Sequence, residues 1–284
     1  MKVDLHCHTL ISDGSFSFHD VITLAKQEEI THLAITNHDT TQSLTEMVIE
    51  GKTQGIEIIP GIEISAYDHQ RERRVHILGY YLIPEHPSIL QLCSPLLEQR
   101  HEASKIMVER LILAGYQITW EQVEKYAKDG TGVYKQHIMQ ALMDQNYTTS
   151  IYGDLYRTCF AKQSPEGKPG IAYVPLEYPS AVEAVQAIIQ ANGVAVLAHP
   201  GQYKNFDILP ELVDAGLKGI EVYHPSHQDS DLAKAMQYAK EYSLIATGGS
   251  DFHGLYDEKP VRLGSFDPGI ASVHALKAIR DLIN

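Results

Sequence analysis

Residues 3–39, "VDLHCHTLISDGSFSFHDVITLAKQEEITHLAITNHD", read as one strand–helix–strand unit. "VDLHCHT" and "THLAITNHD" have the apolar, β-branched character of strands, and Phe18–Glu29 between them carries the spacing of an amphipathic helix. Thr9 to Gly14, rich in Ser, Asp and Gly, is the loop that follows the first strand. Successive side chains of a strand point to opposite faces, so His6 and His8 share one face and Cys7 points away from it. At a rise of about 3.3 Å per residue the two imidazoles stand roughly 6–7 Å apart at their bases, within reach of one metal ion. An isolated H-x-H pair fits two polar residues on a half-exposed strand equally well. The rest of the chain has to decide.

The same rhythm recurs. "IEIIPGIEISA", "RRVHILGYYLI", "VAVLAHP", "GIEVYHP" and "LIATGGSDFH" complete seven strand candidates, with helical patterns at Leu44–Gln54, Ser180–Asn192, Leu209–Ala215, Ser230–Glu241 and Ser272–Asn284. Alternating strands and helices imply an α/β fold on a parallel sheet, and seven units favour a (β/α)7 barrel, closed or nearly so. From Pro87 to Pro179 no strand is evident, while Ser88–Gly115 and Trp120–Asp144 carry helical spacing. The expected organisation is a barrel domain over 1–86 and 180–284, with a helical insertion over 87–179 between strands four and five. An insertion at the C-terminal ends of barrel strands overhangs the active site, which makes it a lid or specificity subdomain.

Composition narrows the function. The 284 residues are 44% hydrophobic and 21% charged, with no apolar run long enough for a membrane span. The polar N-terminus does not fit a signal peptide, and the three cysteines lack C-x-x-C spacing, so a reducing cytoplasm is the expected location. A net charge of −13 argues against a broad basic groove for duplex nucleic acid. It leaves small phosphorylated substrates open, because bound cations can make one pocket positive inside an acidic protein.

The candidate ligands gather at strand ends. His6 and His8 end the first strand, His38 the second, Glu63 the third and His199 the fifth; His76 lies within the fourth, and Asp251 and His253 follow the seventh. With Asp13 in the first loop, six imidazoles and three carboxylates converge on the rim where barrels carry their chemistry. Thiolate-free ligation of this kind suits Zn, Mn or Fe. Metal ions a few ångströms apart activate water and stabilise both oxygens of a displacement, which points to phosphoester hydrolysis. There is no G-x-S-x-G elbow, and Ser250 reads as support for its turn. His224, ending the sixth strand, and His227 are placed to donate a proton to the leaving oxygen.

These motifs, "DLHCHTLISDG", "AITNHDT", "PGIEIS", "HILGYYL", "LAHPG", "GIEVYHPSH" and "TGGSDFHG", span the chain, which resembles the polymerase and histidinol phosphatase (PHP) superfamily of distorted seven-stranded barrels with multinuclear metal centres. The insertion and "AYVP" (172–175) make it similar to stand-alone phosphatases of nucleoside monophosphates and 3′,5′-bisphosphates. Asn37 departs from the aspartate common before His38, which concerns tuning of the site. The resemblance implies two or three divalent ions: one held by His6, His8, Glu63 and Asp251, a second bridged by Glu63 to His76 and His199, and a third by Asp13, His38 and His253. Glu63, Asp251 and His224 are then the catalytic candidates. Lys135 and His137 stand where related enzymes carry groups near substrate phosphate, with Arg100 and Lys168 as further candidates for substrate or phosphate. The 5′ end of a short RNA is a further substrate class. Histidinol phosphate, an amidohydrolase-type reaction and a non-catalytic metal-stabilised binding module are the alternatives.

Overall fold

The computed structural model describes residues 1–163 and 167–283. Seven strands lie in chain order in one sheet: β1 (Lys2–Asp4), β2 (Ile30–Ile35), β3 (Glu57–Asp68), β4 (Arg73–Tyr80), β5 (Val194–Leu197), β6 (Gly219–Tyr223) and β7 (Ile245–Gly248). The covering helices are α1 (Phe18–Gln27), α2 (Leu44–Thr53), α7 (Ala181–Gln190), α8 (Pro200–Tyr203), α9 (Leu209–Asp214), α10 (Asp229–Glu241) and α11 (Ile270–Ile283), with α3 (Pro87–Leu113), α4 (Trp120–Glu124), α5 (Lys135–Asp144) and α6 (Asp154–Phe160) falling between β4 and β5. Position 284, the end of the last expected helix, lies outside the described residues. The sequence sets the helix starts by capping. Ser17 and Asp20 reciprocally cap α1, and Ser180 and Glu183 do the same for α7.

The expectation of an all-parallel sheet is corrected at β4, which runs antiparallel to both β3 and β5. Only residues 69–72 link β3 to β4, whereas a parallel crossover needs about a dozen residues, so the chain turns back as a hairpin. Glu63 also sits mid-strand rather than at a strand end. The β2–β3 ladder stops at Ile35 and Pro60, and the rest of β3 projects beyond it to pair with β4, where Ser65 faces His76. A lone bridge brings His38 level with Glu63.

The strand ladder is open between β1 and β7, but the segments that follow them meet. Leu5 N–H donates to Gly248 O at 3.1 Å, Asp251 N–H to His6 O at 2.9 Å and His8 N–H to Phe252 O at 3.0 Å. The result is a distorted barrel whose seam carries four of the candidate ligands. A Cβ at Gly249 would lie 2.3 Å from His6 N and 2.4 Å from His6 Cβ, so only glycine permits this approach.

The insertion comprises α3 (Pro87–Leu113), α4 (Trp120–Glu124), α5 (Lys135–Asp144) and α6 (Asp154–Phe160) around an apolar cluster that includes Met107, Leu111, Val123, Leu142 and Phe160. The single helix expected over 120–144 is broken in two. Gly130 lies so close to the loop after β1 that a Cβ there would stand 2.6 Å from Leu10 O, so the chain leaves the helix to dock on that loop. Among the described residues no helix is long and apolar enough to cross a membrane.

Gly249→Ala should therefore destabilise the protein by about 1–3 kcal/mol through overpacking at the seam. Urea denaturation measures it, and a midpoint equal to wild type would refute the close-approach requirement.

Candidate metal centre and substrate cavity

The seam, β3 and β4 deliver the ligands to one point. His6 Nε2 and His8 Nε2 each lie 3.2 Å from Glu63 Oε2, and 3.2 and 3.1 Å from Asp251 Oδ1. Neither nitrogen makes a hydrogen bond. On the other side of Glu63, Oε1 lies 2.7 Å from His76 Nδ1 and 2.8 Å from His199 Nε2. His224 Nε2 approaches Asp251 Oδ2 at 3.3 Å. A third grouping surrounds Asp13, whose Oδ1 lies 3.3 Å from His253 Nε2 and 3.7 Å from His8 Nδ1, while its Oδ2 lies 3.8 Å from His38 Nε2. The chain thus brings together all nine residues singled out from the sequence, and His8 faces two groupings rather than one.

The donor set fits cations on its own evidence. His6 Nε2, both ring nitrogens of His8, Asp13 Oδ1 and His199 Nδ1 are buried without a hydrogen-bond partner. An unsatisfied buried polar atom costs about 1–3 kcal/mol, so such a cluster is tolerated when something outside the chain satisfies it. Burial pushes imidazoles down, and it prevails at His76, at His224 and at His38, which is held at about 3. Against the same burial, Asp251, Glu221 and Glu63 hold His6 well up, and Asp13 with Asp251 raises His253 to about 10. Burial alone would raise the carboxylates, but His38, His6 and His76 hold Glu63 well below the carboxylate range, and His6 and His253 do so for Asp251. Ionised carboxylates and neutral imidazoles are the forms that ligate metal, so an arriving cation would displace the protons that the carboxylates hold on His6 and His253.

A supporting shell orients these groups. Glu221, fully buried and unrecognised in the sequence, lies 3.1 Å from His6 Nδ1 and accepts the His199 backbone N–H at 2.9 Å. It fixes the His6 ring with Nε2 toward the centre, as carboxylates behind metal-ligating histidines do. The one legible signal was a glutamate inside the apolar run "GIEVY". Asp4 accepts from the N–H groups of His6, Ser250 and Gly264, tying the seam together. Asn37 Oδ1 accepts from Thr9 N, Thr9 Oγ1 and Ser12 Oγ at 2.8, 3.1 and 3.0 Å. It anchors the loop bearing Asp13, a task that needs acceptors only and that the amide oxygen performs. His199 and Asp251 adopt positive φ, 23° and 52°, strain that non-glycine residues retain where the surroundings dictate it.

The two histidines after β6 separate. His227 spends both nitrogens on the backbone, Nδ1 on Val222 O and Nε2 on Gly201 N–H, and so positions α8 rather than a proton. His224 Nδ1 accepts the Ser226 backbone N–H at 3.1 Å, which leaves the proton of the neutral ring on Nε2, facing Asp251.

A cavity of about 480 Å³ opens from this cluster toward the insertion. Its lining also includes Arg74, Arg100 and Lys135 among Tyr152, Tyr156 and Tyr178. Arg100 is paired to Asp39 at 2.6 Å, beneath the Tyr134 ring. Arg74 has no carboxylate partner among the described residues; it hydrogen-bonds Tyr203, whose ring lies against His76 and His199, and it stands over the Tyr178 ring; strand alternation two residues before His76 was the sequence signal for it. Lys135 lies over Phe160, its ammonium pushed down to about 8 by burial and by Arg74 and Arg100. Lys168 is exposed and away from the cavity wall. His137 is fully buried; its Nδ1 accepts the Tyr134 N–H at the start of α5, and burial lowers it to about 4.

The PHP domain profile matches residues 4–196. A phosphoribosyl 1,2-cyclic phosphate 1,2-diphosphodiesterase of Eggerthella lenta is 42% identical, over 92% of this chain and 97% of that protein. A 3′,5′-nucleoside bisphosphate phosphatase of Chromobacterium violaceum is 32% identical, over 89% and 87%. A crystal structure from Bifidobacterium adolescentis superposes with a TM-score of 0.88 at 28% identity, covering 98% of this chain and 96% of that one.

Because Glu63 faces two ligand groupings and Asp13 one, Glu63→Gln should remove about two bound divalent ions per chain and Asp13→Asn about one, read by elemental analysis after dialysis. Glu221→Gln should weaken binding by about 10–100-fold without removing a ligand. Equal losses in the Glu63 and Asp13 variants would overturn the partition.

Proposed function

The chain belongs to the PHP domain family, and from that premise we propose that it hydrolyses a small phosphoester whose ribose carries a second phosphate. It is a metal-dependent phosphoester hydrolase. The single observation that carries the finer reading is one cavity lined both by the cluster of imidazoles and carboxylates and by the cationic side chains Arg74, Arg100 and Lys135. The names of the two relatives share a phosphorylated ribose, in one a cyclic phosphate and in the other a nucleoside 3′,5′-bisphosphate. Tyrosine rings along the wall favour the base-bearing nucleotide, since every base offers a face to stack.

Two or three ions of Mn, Fe or Zn, held by His6, His8, Asp13, His38, Glu63, His76, His199, Asp251 and His253, would supply Lewis-acid polarisation of the phosphoryl group and an activated water. The chain's own residues do the rest. Arg74 and Lys135 grip the remote phosphate and fix the distance to the reacting one, so binding energy far from the scissile bond goes into orientation. Arg100, neutralised by Asp39, holds the wall and Tyr134 in place. His224, neutral with its proton on Nε2 toward Asp251, lines the cavity and is the group placed to steady the leaving oxygen by a hydrogen bond, the proton that oxygen takes up coming from the attacking water. Unpaired buried Cys7, Cys93 and Cys159 fit a reducing cytoplasm.

A panel of nucleoside monophosphates, 3′,5′-bisphosphates, phosphoribosyl 1,2-cyclic phosphate, short oligoribonucleotides and histidinol phosphate tests the assignment. Arg74→Ala and Lys135→Ala should each raise KM at least about tenfold for substrates with a second phosphate and barely affect an aryl phosphate. Equal effects on both, or a clear preference for histidinol phosphate, would refute it.

The depressed Lys135 also sets a pH dependence. Its charge is present below about 8 and lost above, so affinity for the remote phosphate should fall as pH rises through that value. In Lys135→Arg, whose guanidinium does not titrate there, this fall should disappear from the pH profile of KM.

A further inference from the structure

Two side chains of the insertion reach metal-ligand candidates: Tyr134 Oη donates to the His38 carbonyl at 3.4 Å, and Gln136 reaches a ligand side chain itself. Gln136, in the first turn of α5, is nine-tenths buried, and its Nε2 donates to Asp13 Oδ2 at 2.8 Å and to Tyr152 Oη at 2.9 Å. Both amide protons are thereby used. The two oxygens of Asp13 are differentiated as a consequence: Oδ2 is tethered by Gln136, whereas Oδ1, beside His253 Nε2 and His8 Nδ1, is buried with no hydrogen-bond partner. The loop that carries Asp13 is clasped by the same segment of the insertion. Thr131 N–H and Thr131 Oγ1 donate to Ile11 O at 2.9 and 3.0 Å, and Gly130 packs against Leu10 O.

We propose that Gln136 is a positioning residue for the cation grouping of Asp13, His38, His8 and His253: by holding Oδ2 it presents Oδ1 to the ion, so the insertion sets the affinity of that one position. A carboxylate free to rotate would offer either oxygen and would lose orientational entropy on ligation. One already pinned has lost it on folding, and outer hydrogen bonds of this kind change metal affinity by about 10–100-fold. Glu63 and Asp251 receive nothing from the insertion among the described residues: their partners are imidazoles of the barrel. The effect is therefore selective for one ion. The adjacent Lys135 lines the cavity from the same turn of α5, so the element that faces substrate also braces this ligand.

This rests on the metal-dependent reading above, and the test separates the two. Full-length protein stripped with chelator is equilibrated with graded free Mn²⁺, and bound metal is counted at each concentration. In Gln136→Met, which keeps the length and loses the donor, one equivalent should bind about 10–100-fold more weakly while the others keep wild-type affinity. Gln136→Asn, too short to reach Asp13, should behave alike and provides a polar alternative if the methionine variant fails to fold. Combining Gln136→Met with Asp13→Asn should weaken binding no further than Asp13→Asn alone, a non-additivity that a general loss of packing does not produce. Unchanged affinity for every equivalent in both Gln136 variants, or equal weakening of all of them, overturns the inference and leaves the metal centre standing. Wild-type protein that binds no Mn²⁺ overturns both.

Discussion

Glu63 is the residue on which the arrangement turns. Its carboxylate lies fully inside the protein with His6, His8 and His38 near one oxygen and His76 and His199 near the other. Charges so far from water are tolerated only when opposing charge or metal surrounds them. Within each grouping the members depend on one another: removing one leaves its neighbours buried and uncompensated. That interdependence accounts for the close contact at Gly249, the left-handed backbone at His199 and Asp251, and the buried anchors Asp4, Asn37 and Glu221. Each of these has a local cost, and each holds a ligand where the others require it.

The topology follows the same demand. A regular parallel barrel would point Glu63 and His76 from separate strand ends with a helix between them. The short link of residues 69–72 lays β4 against β3 instead, and Ser65 faces His76 across the hairpin. That brings His76 down a neighbouring strand onto Glu63 at 2.7 Å. The register offset between β2 and β3 performs the complementary step by bringing His38 level with Glu63.

Electrostatically the molecule is divided. It carries −13 overall, yet its cavity joins a cation-binding cluster to a wall holding Arg74, Arg100 and Lys135. Positive charge is thereby concentrated in one pocket of an acidic molecule. Barrel and insertion both line the cavity: the barrel brings the imidazoles and carboxylates, and α3 and α5 bring Arg100 and Lys135. Arg74 comes from the hairpin, two positions from His76 on the same strand.

The sequence by itself determined much of this. H-x-H, D-x-H and the histidines and glutamate near strand ends were visible because the two-residue period of a strand converts spacing directly into a shared face. Helical periodicity likewise exposed α1, α2, α3, α7, α10 and α11. Four features were decided only by the tertiary structure. The antiparallel β4 depends on a short loop, not on the strand's own pattern. Glu221 looks like any glutamate until it lies behind His6; Arg74 resembles its neighbours Arg71 and Arg73 until alternation is combined with the position of the cavity. Gln136 meets Asp13 across a sequence separation of 123. Local periodicity reports which face a side chain occupies. Which distant side chain it meets there is set by how elements pack, and that information is distributed over the whole chain.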